Sequence, residues 1–402
     1  MTFADPNENG NGRYQARFID NIRRSLTNVH RLTATPLSAL SSSDRKLAML
    51  ALSYGLKAGA TWPEALATLL TFAPIMEQAG HRQDWIPYLL QGIEVSQQLG
   101  DRPTEAELRF QLGVLYEFLS QLEPARAEIE TSAELFAALN QPHKQARALT
   151  ALASIASSQQ QFDEARTLLA QACPLFTLDD PERAHCNFVE GALALHAEQF
   201  DVAERQFREA LARWQQVGDQ RMIAWALTNL GAALRRQGCL EEALVCYQDA
   251  LALFAIVDDP LHEAIARSNL AVIYANNGDA KVALRLLQEA ETAFQQLENL
   301  TQLANTQQRI AFCCRKLRRW ADAETAYRAS IALFEQLEDF QLAANALDGL
   351  GLVLTAQGKP TEASAVWQTG LDYLALCAES LSVAGLRMTI LNHLQTTKKA
   401  DL

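Results

Sequence analysis

The stretch Asn229–Phe254, NLGAALRRQGCLEEALVCYQDALALF, is written again forty residues later at Asn269–Phe294 as NLAVIYANNGDAKVALRLLQEAETAF. Working outward from the alanine after its turn, the same frame holds at Ala125, Ala165, Ala203, Ala243, Ala283, Ala323 and Ala363, in steps of 40, 40, 38, 40, 40 and 40, and it reaches back to Trp85. A fixed period of this length is the mark of a stacked array of supersecondary units. Twelve residues before the marker stands a small residue (Ala73, Gly113, Ala153, Gly191, Gly231, Ala271, Ala311, Gly351), and seven after it another. Small side chains at fixed places on two neighbouring helices let their backbones approach, and large ones fill the space around the contact. The large ones are Ile129, Leu169, Phe207, Tyr247, Leu287, Tyr327 and Trp367, then Phe136, Phe176, Trp214, Phe254, Phe294, Phe334 and Leu374. Within each unit they fall on one face of period 3.6.

Gly80, Gly238, Gly278 and Gly358 sit where a left-handed residue would close the first helix of a unit. Pro142, Pro181, Pro260 and the GD, DD or ED pairs separate the units. No period-2 alternation competes, so the chain reads as all-α. One hairpin cannot bury both its faces, and stacking on the next completes the burial.

The order small–turn–Ala–aromatic resembles the tetratricopeptide repeat in a longer unit of about 40 residues, as in kinesin light chains, spindle-orientation adaptors and the sensor arms of bacterial signalling ATPases. HEAT and armadillo arrays share a similar period but lack this order. The resemblance covers Trp62–Leu376 and implies a right-handed superhelical solenoid of about eight hairpins. The organisation expected is a loose tail over 1–12, a degenerate helical cap over 13–60, the array over 61–378 and a capping helix with tail over 379–402. The first helix, Tyr14–Leu32, should pack through Phe18, Ile22, Leu26 and Val29, and Ser380–Gln395 should cover the last apolar face.

Composition limits the function classes. The chain has 402 residues, 49% of them hydrophobic, enough to bury a large core. A net charge of -12 argues against nucleic-acid binding, which needs a basic surface. No apolar run reaches the roughly 18 residues a membrane span needs, and seven cysteines without framework spacing suit reduced thiols, so a cytoplasmic location is expected. No phosphate loop, nucleophile elbow or acid pair beside a nucleophile occurs, so neither catalysis nor a cofactor is expected. His185 and His196 lie about 16 Å apart along a helix, too far to share a metal ion. Glu190 stands in a column of leucines, and a register shift in the short unit is expected to put Val189 there instead.

In proteins this chain resembles, the first helix of each unit lines the concave side. Positions 18, 14, 11 and 7 before the marker share that face, and they carry Arg147, Arg236, Arg309 and Lys316 against one acid, Glu107. The expected binding residues are Trp225, Asn229, Arg236, Asn269, Asn276, Asn305, Arg309 and Lys316. Their amides can pair with an extended backbone and their cations with carboxylates. The expected function is a non-catalytic protein-protein interaction scaffold, binding a peptide or partner protein with acidic residues or a free carboxyl terminus. The alternative is a regulatory sensor that binds a small molecule or signal peptide and changes superhelical shape. Exchange of Arg309 and Lys316 for Glu is expected to weaken binding and spare folding.

Overall fold

The computed structural model describes residues 6–32, 42–78, 82–119, 121–177, 179–257, 259–377 and 381–400. Every regular element among them is helical. Two compact units, residues 1–213 and 214–402, divide the chain, the boundary falling inside the helix Phe200–Val217, which is described with the first.

The first unit opens with α1 (Pro6–Leu32) and α2 (Ser42–Gly55). Hairpins follow: α3 (Trp62–Gln78) with α4 (Arg82–Leu99), α5 (Arg102–Phe118) with α6 (Leu122–Ala138), α7 (Pro142–Ser158) with α8 (Phe162–Ala172), and α9 (Arg183–His196) with α10 (Phe200–Val217). In the second unit α11 (Gln220–Gln237) pairs with α12 (Leu240–Val257), α13 (Pro260–Asn276) with α14 (Ala280–Gln296), α15 (Leu300–Lys316) with α16 (Trp320–Gln336), and α17 (Phe340–Ala356) with α18 (Pro360–Leu376). A last helix, α19 (Leu381–Ala400), closes the chain.

The repeat columns become the core. All seven marker alanines and Trp85 are fully buried, as are Phe207, Tyr247, Phe254, Phe294 and Phe334. The small residues do what the period demands: a Cβ on Gly113 would stand 2.3 Å from Ile129, and one on Gly351 2.3 Å from the Trp367 ring. Ser132 and Ser330, at the same place in two units, donate to the carbonyls of Ala106 and Ala304 at 2.8 and 2.9 Å, a bond that only closely packed helices allow. The acidic residues between units prove to be helix caps: Asp101, Asp219, Asp259 and Asp339 each accept from the backbone N–H three residues on, and Asn299 does the same. Each cap is worth about 1 kcal/mol.

The turns are more uniform than their glycines suggest. Gly238, Gly278 and Gly358 have φ of 88°, 97° and 77°, but Gln160, Glu198 and Arg318 take the equivalent left-handed place, and Asn140, Glu298 and Glu338 do so between units. Gly80 lies outside the described residues. An L-residue in the left-handed conformation costs on the order of 1 kcal/mol in backbone crowding, part of which glycine returns through unfolded-chain entropy. Glu338→Gly is therefore expected to stabilise the second unit by about 0.5 kcal/mol, a rise of roughly 1–2 °C in Tm by calorimetry. A fall in Tm would contradict this reading of the turn.

Four expectations need correction. Phe18 is 52% exposed and meets Tyr54 edge-on at 6.0 Å, so only Ile22, Leu26 and Val29 of its face are buried. Helix α8 stops at Ala172, because Pro174 lacks the N–H that another turn would use, and Phe176 reaches the core from extended backbone. No shift moves Glu190: Gly191 stays in register under the Phe207 ring, and the two missing residues are absorbed before α9 begins. Glu190 is half-buried with Cys173 Sγ at 3.8 Å, burial pushes its carboxyl up, and Val189 is buried as well. At the ends, residues 6–12 belong to α1 and residues up to 400 to α19, beyond the expected limits of both helices, while 1–5, 401 and 402 lie outside the described residues. Val383, Ile390 and Leu394 of α19 are buried against the last hairpin.

Candidate functional site

The first helices of the second unit wall a cleft of about 410 Å³. Helix α13 contributes Val272 and Asn276, α15 contributes Asn305, Gln308, Arg309, Phe312 and Arg315, α17 contributes Asn345, Asp348, Gly349 and Leu352, and α11 reaches in with Arg235. Behind them Leu287 and Tyr327 from the second helices form part of the wall. Residues seven, eleven, fourteen and eighteen before each marker share a helix face, which is why α13, α15 and α17 present the same side.

The cleft brings together Asn276, Asn305 and Arg309 of the expected residues. Asn305 donates to its own helix, to the Thr301 carbonyl at 3.0 Å, and its amide oxygen meets no donor among the described residues. Arg309 is deep: its Nη1 donates to Ser268 Oγ at 2.7 Å and to Asn269 Oδ1 at 3.2 Å, so Asn269 serves Arg309 from α13. Burial first, then the neighbouring charge of Arg235, lower the Arg309 pKa to about 10. Lys316 lies at the rim, donating to the Ala275 carbonyl at 3.2 Å with its ammonium 5.2 Å from the Phe312 ring centre. Exchange of this pair for Glu would put a carboxylate where Arg309 is largely desolvated, so folding would not be spared as the sequence suggested.

Trp225, Asn229 and Arg236 are not among the lining residues. Trp225 is drawn into the packing of α11 on α13, its indole N–H donating to Asp259 Oδ2 at 3.2 Å and its ring lying 4.2 Å from that of His262. Asn229 donates to the Trp225 carbonyl at 3.0 Å. Arg236 is exposed near the end of α11.

Sequence reasoning missed Arg235 and Arg315, one position before the column it followed. A signal for them exists. They stand eight residues before markers Ala243 and Ala323, two repeats apart, and in those same two units the residue four after the marker is Tyr, Tyr247 and Tyr327. Structure explains the pairing: Arg235 lies by Tyr247 and Arg315 by Tyr327, with burial pushing both phenols up and the arginines moderating the shift. The intervening unit has Ala275 and Leu287 instead, which leaves the room that the cleft occupies.

Among the described residues no group of three or more His, Cys, Asp or Glu is placed to hold a metal ion, and no helix is long and apolar enough to cross a membrane.

The profile of the tetratricopeptide repeat matches residues 222–296 and 302–372. No protein of curated function matches the sequence significantly. Among solved structures, a Rap protein complexed with competence and sporulation factor superposes with TM-score 0.54 at 17% identity, over 85% of this chain and 99% of that one. A signal-transduction ATPase with a tetratricopeptide-repeat sensor from Pyrococcus horikoshii gives 0.55 at 12% identity, over 82% of this chain, which spans about half (52%) of that protein. At such identities the likeness is one of fold.

Proposed function

Because this chain is a tetratricopeptide-repeat protein, with stacked hairpins and repeat profiles over 222–296 and 302–372, we propose that it is a non-catalytic scaffold for protein-protein interaction, whose second unit holds an extended peptide segment of a partner. The observation that carries this is the cleft itself. Its volume of about 410 Å³ falls within the roughly 300–1,000 Å³ common for ligand sites. Asn276, Asn305, Gln308 and Asn345 line it, and each amide offers a donor and an acceptor, as an extended backbone does. Phe312 and Leu352 supply apolar seats between them. A structure of similar fold holds a competence and sporulation factor, which supports binding by such a scaffold.

Peptides selected from a random twelve-residue phage library on the wild type provide the test. Asn305→Ala with Asn345→Ala is expected to weaken the selected peptides by about tenfold or more, ~1.4 kcal/mol, at unchanged Tm, since Asn345 is exposed and Asn305 bonds only within α15. Equal affinity for wild type and double variant would reject the assignment.

A further inference from the structure

Three guanidinium groups line one cleft of the second unit against one carboxylate, that of Asp348. Asp348 is already engaged: its Oδ1 accepts from Trp367 Nε1 at 2.9 Å and lies 2.7 Å from His393 Nδ1. Arg309 has neutral partners only, Ser268 and Asn269. The Nε atoms of Arg235 and Arg315 are both buried with no hydrogen-bond acceptor. A Tyr hydroxyl beside each of these two arginines does not neutralise them, and the ring does not require a cation there, since Phe207 fills the same column in a unit with Leu195 opposite. The three guanidiniums are half-buried, and that of Arg315 lies 5.4 Å from the Phe312 ring centre, but none of these neighbours carries a negative charge, and a partly desolvated cation without a counter-charge is costly. Here the cost falls on the wall of an open cleft in a chain of net charge -12, where an incoming anion would remove it.

Resting on the peptide-binding reading above, we infer that the Arg235–Arg309–Arg315 cluster seats a carboxylate of the bound segment. Arginine suits this role because its planar fork meets a carboxylate with two parallel hydrogen bonds. The group comes from an acidic side chain or from the end of the partner chain, and both present the same two oxygens.

Fluorescent twelve-residue peptide pools with blocked ends separate the possibilities by anisotropy: one pool with Glu at its two central positions, one with Gln there, and the Gln pool with a free carboxyl end. The wild type is expected to bind a carboxylate pool about tenfold more tightly than the blocked Gln pool, as charge-assisted hydrogen bonds imply, and to lose that preference at high salt. If the Glu pool gains, the source is a side chain; if the free-ended pool gains, it is a chain end. Arg315→Met, which keeps the apolar stem of the side chain without its guanidinium, is expected to abolish the preference of a carboxylate pool over the blocked Gln pool. Arg315→Lys is expected to restore only part of it, because the fork is gone. If both Arg315 variants unfold, the wild-type ratio and its salt dependence still decide. Equal binding of all three pools by the wild type would overturn the carboxylate seat and leave the peptide groove standing, whereas no binding of any pool would overturn both.

Discussion

Asp259→Ala is expected to cost about 3–5 kcal/mol of stability in the second unit, the usual result of removing one partner from a buried ion pair. Asp259 is 3% exposed and Arg221 7%, and the Arg221 Nε–Asp259 Oδ2 distance is 3.0 Å. The same carboxylate accepts from the Trp225 indole at 3.2 Å, lies 2.9 Å from His262 Nδ1 and caps α13 through the His262 N–H. Burial alone would push this carboxyl up, but the hydrogen bond and charge of His262, with the Arg221 guanidinium, outweigh it and hold the carboxyl well below the usual carboxylate range. A depressed folded-state value gives stability that is complete above the unfolded value near pH 4 and is lost as pH falls further. Urea unfolding at pH 7 checks the first point, and a loss under 1 kcal/mol would contradict it. The second predicts that the wild type's acid transition below pH 4 is blunted in the variant.

Glu117→Gln is expected to act in the opposite direction in the first unit. Burial pushes the Glu117 carboxyl up to about 7, only partly offset by the hydrogen bond it accepts from Ser154 Oγ at 2.7 Å. The folded chain therefore holds this proton where the unfolded chain releases it, and stability falls as pH rises from about 4.3 towards 7. The glutamine keeps the acceptor for Ser154 and removes the buried charge. It should stabilise the protein by on the order of 2 kcal/mol at pH 8 and change little at pH 4.5. Calorimetry across that range measures the difference, and parallel curves for the two proteins would contradict the account.

Much of the fold was legible because the columns of the repeat are set by packing. A residue such as Ala243 or Phe254 recurs where a helix meets its neighbour, and contact of that kind tolerates only one size. Turns were less legible, since Arg318 and Glu338 adopt the left-handed conformation without the glycine that announces it. Helix α8 was misjudged because Phe176 keeps its column while Pro174 ends the helix before it. In the candidate cleft, helical spacing found Asn276, Asn305 and Arg309 but not Arg235 and Arg315. Spacing places Cα atoms, whereas a long side chain carries its charge well around the helix from its own position. Trp225 failed for the complementary reason: its column faces the cleft in other units, but Asp259 and His262 capture its ring and its N–H.

Amide hydrogen exchange of the second unit, with and without a peptide from the phage selection, tests most directly whether the first helices form the binding face. The account predicts slowed exchange in α13, α15 and α17 around Asn276, Asn305 and Asn345, with α12, α14 and α16 unchanged. Protection confined to the second helices, or to residues outside the unit, would contradict it.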